Sequence, residues 1–216
     1  MDITLYSFWN YDRSAKVRWL FEELKQSGIK LDYREHRINR EAKENEQEPF
    51  LSLNPMGRSP TLVVDGKSMI ESNGICAYFA DHFADGKMAP PLSARERAEY
   101  QQWMAFASST FEAFIVRIMI IEDIPPGEVF DKKASALLSD VKDAAMLLQK
   151  TLSQHDYLVS SGFSAADICL GYHLYIAMMW PEFESIFNKF PTIKPYLERL
   201  KKRPAAEKAQ AFSYPA

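Results

Sequence analysis

The sequence predicts a two-part molecule, a small α/β unit followed by an all-helical one. Three observations carry that prediction. Residues 3–83 alternate short apolar strand patterns with helical ones. A stretch bearing Gly and a Pro pair, ADGKMAPPL at 84–92, then interrupts the pattern. From Ser93 onward apolar residues recur at helical spacing. The expected division is 1–83, a linker at 84–92, and 93–216.

Residues 3–7, ITLYS, read as a strand. Ser14 to Gln26 reads as a helix, with Val17, Leu20, Phe21 and Leu24 at i, i+3, i+4 and i+7. Leu31 to Ile38 alternates weakly and predicts a second strand, parallel to the first because a helix separates them. Arg40 to Ser52 is charged and predicts a short or irregular helix. Thr61–Val64 and Ser68–Ile70 flank Asp65-Gly66, a strong hairpin signal. Asn73 to Phe83 then predicts a helix with Ile75, Phe79 and Phe83 on one side. In the second part, Ser93–Glu122 is one long helix or two abutting ones, and Asp131–Leu152 another. FSAADI at 163–168 is a helix start: Ser164 caps, Asp167 sits at the third helical position, and Phe163 staples to Ile168.

Composition narrows the function classes. The chain has 216 residues, 47% hydrophobic and 25% charged, with a net charge of −3. No basic stripe of the kind that tracks a nucleic-acid backbone stands out, and Lys201-Lys202-Arg203 suits a helix C-terminus. No apolar run approaches the ~20 residues that span a bilayer, and MDITLYSFWN lacks a signal-peptide layout. Neither a nucleic-acid partner nor a membrane is expected. Cys76 and Cys169 lie far apart in helical patterns, which predicts buried free thiols and a cytoplasmic location. His36, His82, His155 and His173 have no partner at ligand spacing, so no metal site is expected.

The segment 54–83 concentrates site-like features. Glu71-Ser72 falls where a strand becomes a helix, and helix starts hold anions through free N–H groups and the dipole. Pro60 stands at the mouth of the first hairpin strand, after Ser59. NPMGRSPTL at 54–62, DG at 65–66 with IESNGI at 70–75, FSAAD at 163–167, and FP at 190–191 through RPA at 203–205 together resemble the cytosolic glutathione transferase family. The resemblance covers essentially the whole chain. It implies a thioredoxin-like N-terminal domain with an all-helical C-terminal domain, a homodimer, and glutathione as co-substrate.

Glutathione offers two carboxylates, one ammonium and a thiol. The resemblance implies that Ser72 and the N–H groups behind it hold the γ-glutamyl carboxylate while Glu71 meets the ammonium. It also implies a cis Ser59–Pro60 bond that turns the Ser59 main chain toward the cysteinyl part. Arg58 is a candidate for the glycine carboxylate or else a solvated surface arginine. Lys43, Arg40 or Asn45 stands for the basic helper on the second helix. A thiol with an ordinary pKa near 8.5 needs a donor or a cation to ionise near neutrality. Serine-type members place that hydroxyl six residues after the leucine of the first strand, which in this chain is Tyr11. Tyr11 is therefore the first candidate, with Ser7, Ser14, Asn10, Arg13 and backbone N–H as alternatives. An acceptor cleft is expected among Trp9, Tyr11, Trp103, Phe106, Phe111 and Phe114, although aromatics at helical spacing also build cores. The function expected is addition of the glutathione thiolate to an electrophilic apolar substrate. The alternative is a protein of the same fold that binds glutathione or apolar ligands, or regulates, without turnover.

Overall fold

The computed structural model describes residues 1–9, 12–84 and 86–214. The chain divides into two compact units: Met1–Met88 together with the segment beginning at Arg203, and Ala89–Lys202.

In the first unit β1 (Ile3–Ser7) leads through α1 (Ser14–Gln26) to β2 (Arg34–Arg37). A 3-10 turn (Glu44–Glu46) and the four-residue α2 (Phe50–Leu53) follow, then β3 (Thr61–Val64), β4 (Lys67–Met69) and α3 (Ser72–Phe83). The sheet order is β2-β1-β3-β4, with β1 and β2 parallel and the other pairs antiparallel. The β3–β4 turn has positive φ at Asp65 (47°) and Gly66 (79°), the two-residue geometry that matches strand twist. The predicted helix face is the buried one: Val17, Leu20, Phe21 and Leu24 are fully inaccessible, as are Ile75 and Phe79 of α3. β2 is shorter than the predicted 31–38 and all four residues are exposed. An edge strand of alternating charge, REHR, has no apolar face to bury, so only the stretch that pairs with β1 is held extended.

In the second unit α4 (Arg97–Ala105), a π-helical segment (Phe106–Phe111) and α5 (Glu112–Glu122) form one continuous helix. The π-helical segment shifts the ladder, and side chains take up carbonyls near it. Ser108 and Ser109 donate to Ala105 O at 3.2 and 2.7 Å, and His173 Nδ1 lies 3.1 Å from Ala107 O. By length and composition this helix is apolar enough to cross a membrane, a correction to the sequence expectation. Glu112 and Arg117 lie within this stretch and break up its apolar pattern in the sequence. The helix buries Tyr100, Trp103, Phe111 and Phe114 and leaves Val116, Met119 and Ile120 exposed. α6 (Glu128–Leu152), α7 (Ala165–Ala177), α8 (Pro181–Phe187) and α9 (Ile193–Lys201) complete the unit. α7 starts with the predicted reciprocal cap: Ser164 N donates to Asp167 Oδ2 at 2.9 Å and Ala166 N to Ser164 Oγ at 3.3 Å. Asp167 also accepts from Leu158 N at 2.9 Å and Tyr196 OH at 3.0 Å.

The last helix, α10 (Pro204–Lys208), packs on α1. Arg203 Nε and Nη2 donate to the two Glu23 carboxylate oxygens at 2.6 and 2.7 Å, Pro204 opens the helix, and Ala205 is fully buried. The Arg-Pro-Ala run thus ties the segment from Arg203 to the first unit, whereas the sequence reading grouped it with the helices before it.

Candidate functional site

The site is assembled at the ends of three strands. The β1–β3 register, Tyr6 opposite Thr61, carried one residue further sets Ser7 beside Pro60. The β3–β4 register ends at Leu62 opposite Met69, two residues short of Pro60 on one strand and of Glu71 on the other. Sheet pairing therefore brings together residues up to 61 apart in sequence, Ile3 and Val64.

The turn before Pro60 is built by residues the sequence reading quoted but gave no role. Asn54 is 1% exposed; its Nδ2 donates to Arg58 O at 2.8 Å and its Oδ1 accepts from Met56 N at 3.0 Å. Gly57 has φ +60°, and a Cβ there would stand 2.6 Å from the Asn45 carbonyl oxygen. Gly57→Ala should therefore lower stability by about 2–3 kcal/mol, from left-handed strain plus the clash. A urea midpoint within error of wild type would refute this. The Ser59–Pro60 bond is cis, as is Glu48–Pro49, which was not anticipated.

At the helix start, Glu71 takes φ 69°, ψ 98°, a sparsely populated conformation for a residue with a side chain. That twist ends β4 and starts α3 within two residues. Ser72 is the first helical residue rather than the cap, and its hydroxyl makes no capping bond. The first intrahelical bond is Ile75 N to Glu71 O at 2.9 Å, so the N–H groups of residues 72–74 precede it. Neither Glu71 nor Ser72 has a side-chain partner among the described residues. Lys16, fully buried on α1, donates to Asn73 Oδ1 at 2.8 Å. The sequence reading missed it; a cation behind the first turn of a helix adds to the positive field of that terminus.

The turn between β1 and α1 is held by a connected polar chain. Ser7 Oγ donates to Glu35 Oε1 at 2.5 Å. Arg18 Nη1 donates to the same oxygen and to Ser14 Oγ, each at 2.7 Å. Ser14 Oγ donates to Asp12 Oδ1. Asp12 Oδ2 accepts from Phe8 N and Ser59 Oγ, both at 2.7 Å, and from Trp9 N at 3.3 Å. Ser7 and Ser14 are fully buried. Each of these candidate activators thus gives its one hydroxyl proton to a carboxylate. Tyr11 and Asn10 lie outside the described residues. Asp12, Arg18 and Glu35 had no sequence signal, because their link runs across β1, β2 and α1.

The remaining candidates are spread more widely. Arg58 is exposed, with no side-chain partner among the described residues. Lys43 is exposed at φ 57° and lies 4.0 Å from Glu46. Asn45 donates to Gly57 O at 3.3 Å and so serves the turn, while Arg40 lies over the Phe8 and Trp9 rings, 5.2 Å from each centroid. Within the second unit Trp103, Phe111 and Phe114 are buried, as core aromatics are. Phe106 and Phe114 border an open cavity of about 440 Å³.

Residues 1–81 match the family model for the glutathione S-transferase N-terminal domain, and residues 122–208 that for a glutathione S-transferase C-terminal domain. Elongation factor 1-gamma of Prunus avium is 28% identical over 76% of this chain, which spans only 38% of that relative's length. Protein LigF of a Sphingobium species is 27% identical over 95% of this chain and 91% of its own. The fold is similar to that of glutathione transferase URE2P6 from Phanerochaete chrysosporium in complex with oxidized glutathione. That likeness has a TM-score of 0.79 and 23% identity, over 96% of this chain and 94% of the other. With both domain models matched in order over this fold, the chain belongs to the glutathione S-transferase family.

Proposed function

We propose that this protein binds glutathione and transfers its thiolate to an electrophilic apolar substrate, with isomerase or peroxidase chemistry open to the same thiolate. One observation carries the reading. Glu71 and Ser72 stand without side-chain partners among the described residues at the start of α3, just past the strand that pairs with the one cis-Pro60 precedes. A γ-glutamyl group matches that end: its carboxylate suits Ser72, the first-turn N–H groups and the field of Lys16, and its ammonium suits Glu71. The Ser59 main chain is assigned to the cysteinyl part, and the exposed cation of Arg58 or Lys43 to the glycine carboxylate. Ser7 and Ser14 already donate elsewhere, which favours the phenol of Tyr11 as the donor to sulfur. Homodimerisation and a cytoplasmic location follow from the family reading.

The test is calorimetric titration with glutathione beside a conjugation assay over several electrophiles. Glu71→Ala and Ser72→Ala should each weaken glutathione binding roughly tenfold, as loss of a charge-assisted contact does. Tyr11→Phe should keep the affinity and slow conjugation at neutral pH roughly 10–100-fold by returning the thiol toward its ordinary pKa. Absence of glutathione binding at millimolar ligand sinks the reading. Binding with no conjugation by wild type favours the ligand-binding alternative.

A further inference from the structure

Asp12 is the hub of the polar chain at the β1–α1 turn. Its Oδ2 accepts from two successive main-chain N–H groups, Phe8 and Trp9, and from the Ser59 hydroxyl 47 residues away. Its Oδ1 accepts from Ser14 N at 2.9 Å and from Ser14 Oγ. Through Ser14 the carboxylate connects to buried Arg18, and through Arg18 to Glu35 and Ser7. The five donors on this one carboxylate tie Phe8, Trp9 and Ser14 to Ser59 at a single point. The Ser59 bond reaches the residue before cis-Pro60, whose main chain is the assigned edge for the cysteinyl part of glutathione.

We propose that Asp12 is a positioning residue for thiol activation: it clamps the β1–α1 turn to the Ser59–Pro60 turn and so fixes the two walls of the thiol site relative to each other. This rests on the glutathione reading above. Asp12 acts through the Phe8 and Trp9 amides and the Ser59 hydroxyl. With the clamp cut, glutathione still finds Glu71, Ser72 and the Ser59 main chain. What is lost is the alignment of the turn with sulfur, so the effect falls on ionisation more than on affinity.

The experiment follows the thiolate absorbance of bound glutathione against pH in wild type, Ser59→Ala, Asp12→Asn and the double variant, with calorimetric affinities alongside. Ser59→Ala removes one hydroxyl and keeps the main chain. Expected are a titration midpoint raised by about one unit in each single variant, glutathione affinity changed less than about threefold, and a double variant no worse than Asp12→Asn. Conjugation at neutral pH should fall roughly tenfold and recover at alkaline pH, which loss of folded protein would not do. A midpoint that stays put or falls in both single variants overturns the proposal. So does equally fast amide exchange at Phe8 in wild type and Asp12→Asn. Wild-type protein that gives no thiolate signal and no binding heat overturns the glutathione reading itself, and this inference with it.

Discussion

Asp167→Ala should cost roughly 3–5 kcal/mol of stability at neutral pH, read as a lowered urea midpoint with little change in slope. The carboxylate is fully buried and accepts from Leu158 N, Ser164 N, Ser164 Oγ and Tyr196 OH. It therefore joins the start of α7 to the 158–164 loop and to α9 in one group. Removing it takes the acceptor from two buried main-chain N–H groups and a buried phenol at once. Burial pushes the Asp167 carboxyl up from 3.8 to about 6, against the pull of those donors. A folded-state pKa above the unfolded one means folding favours the protonated form. That contribution is complete below about pH 4 and fades as pH rises through about 6. The stability gap between wild type and Asp167→Asn should accordingly narrow by up to about 3 kcal/mol from pH 4 to pH 7. A gap that widens over that range would show that the donors outweigh burial. A cost at pH 7 under about 1 kcal/mol would mean the group is not held as described.

Glu23→Ala should cost about 2–4 kcal/mol and loosen the C-terminal helix. Glu23 is 3% exposed and takes a two-pronged contact from Arg203 and the Trp19 indole N–H at 2.9 Å. Lys208 of α10 meets Glu22 at 2.7 Å beside it. With Glu23 gone the Arg203 guanidinium loses its two carboxylate contacts, while the buried Ala205 and Ala206 and the Lys208–Glu22 pair remain. Limited proteolysis should then cut near α10 faster than in wild type, while Glu23→Gln, which retains one acceptor oxygen, falls between the two. Equal cleavage rates and a stability loss below about 0.5 kcal/mol would exclude this anchoring role.

The site divides in a similar way. Glu71, Ser72, Ser59 and Pro60 stand out as candidates in the sequence because each sits at a local event with its own signal: a strand-to-helix switch, a helix start, an X–Pro bond. Ser72 still held a surprise. It is the first helical residue and not the cap, because Glu71 adopts the positive φ that ends the strand. Ser7 and Ser14 carry the right functional group for activation, yet their protons are committed to Glu35 and Asp12. No local pattern shows that, since the carboxylate that captures Ser7 comes from the next strand, 28 residues on. Lys16 was given no role from the sequence and is buried, donating to Asn73.

By itself the sequence determined what repeats along the chain or depends on one turn: α1 and its buried face, the Asp65-Gly66 hairpin, the Ser164–Asp167 cap and the order of α/β before helices. These follow from periodicities and backbone preferences that act over a few residues. Only the tertiary structure decided that Arg203 returns to α1, that REHR is an exposed edge, that a π-helical segment lies in the long helix, and that Asp12 joins two distant turns. Each depends on charges and hydroxyls finding partners far away in sequence, and such pairing exists only once the sheet has set its register.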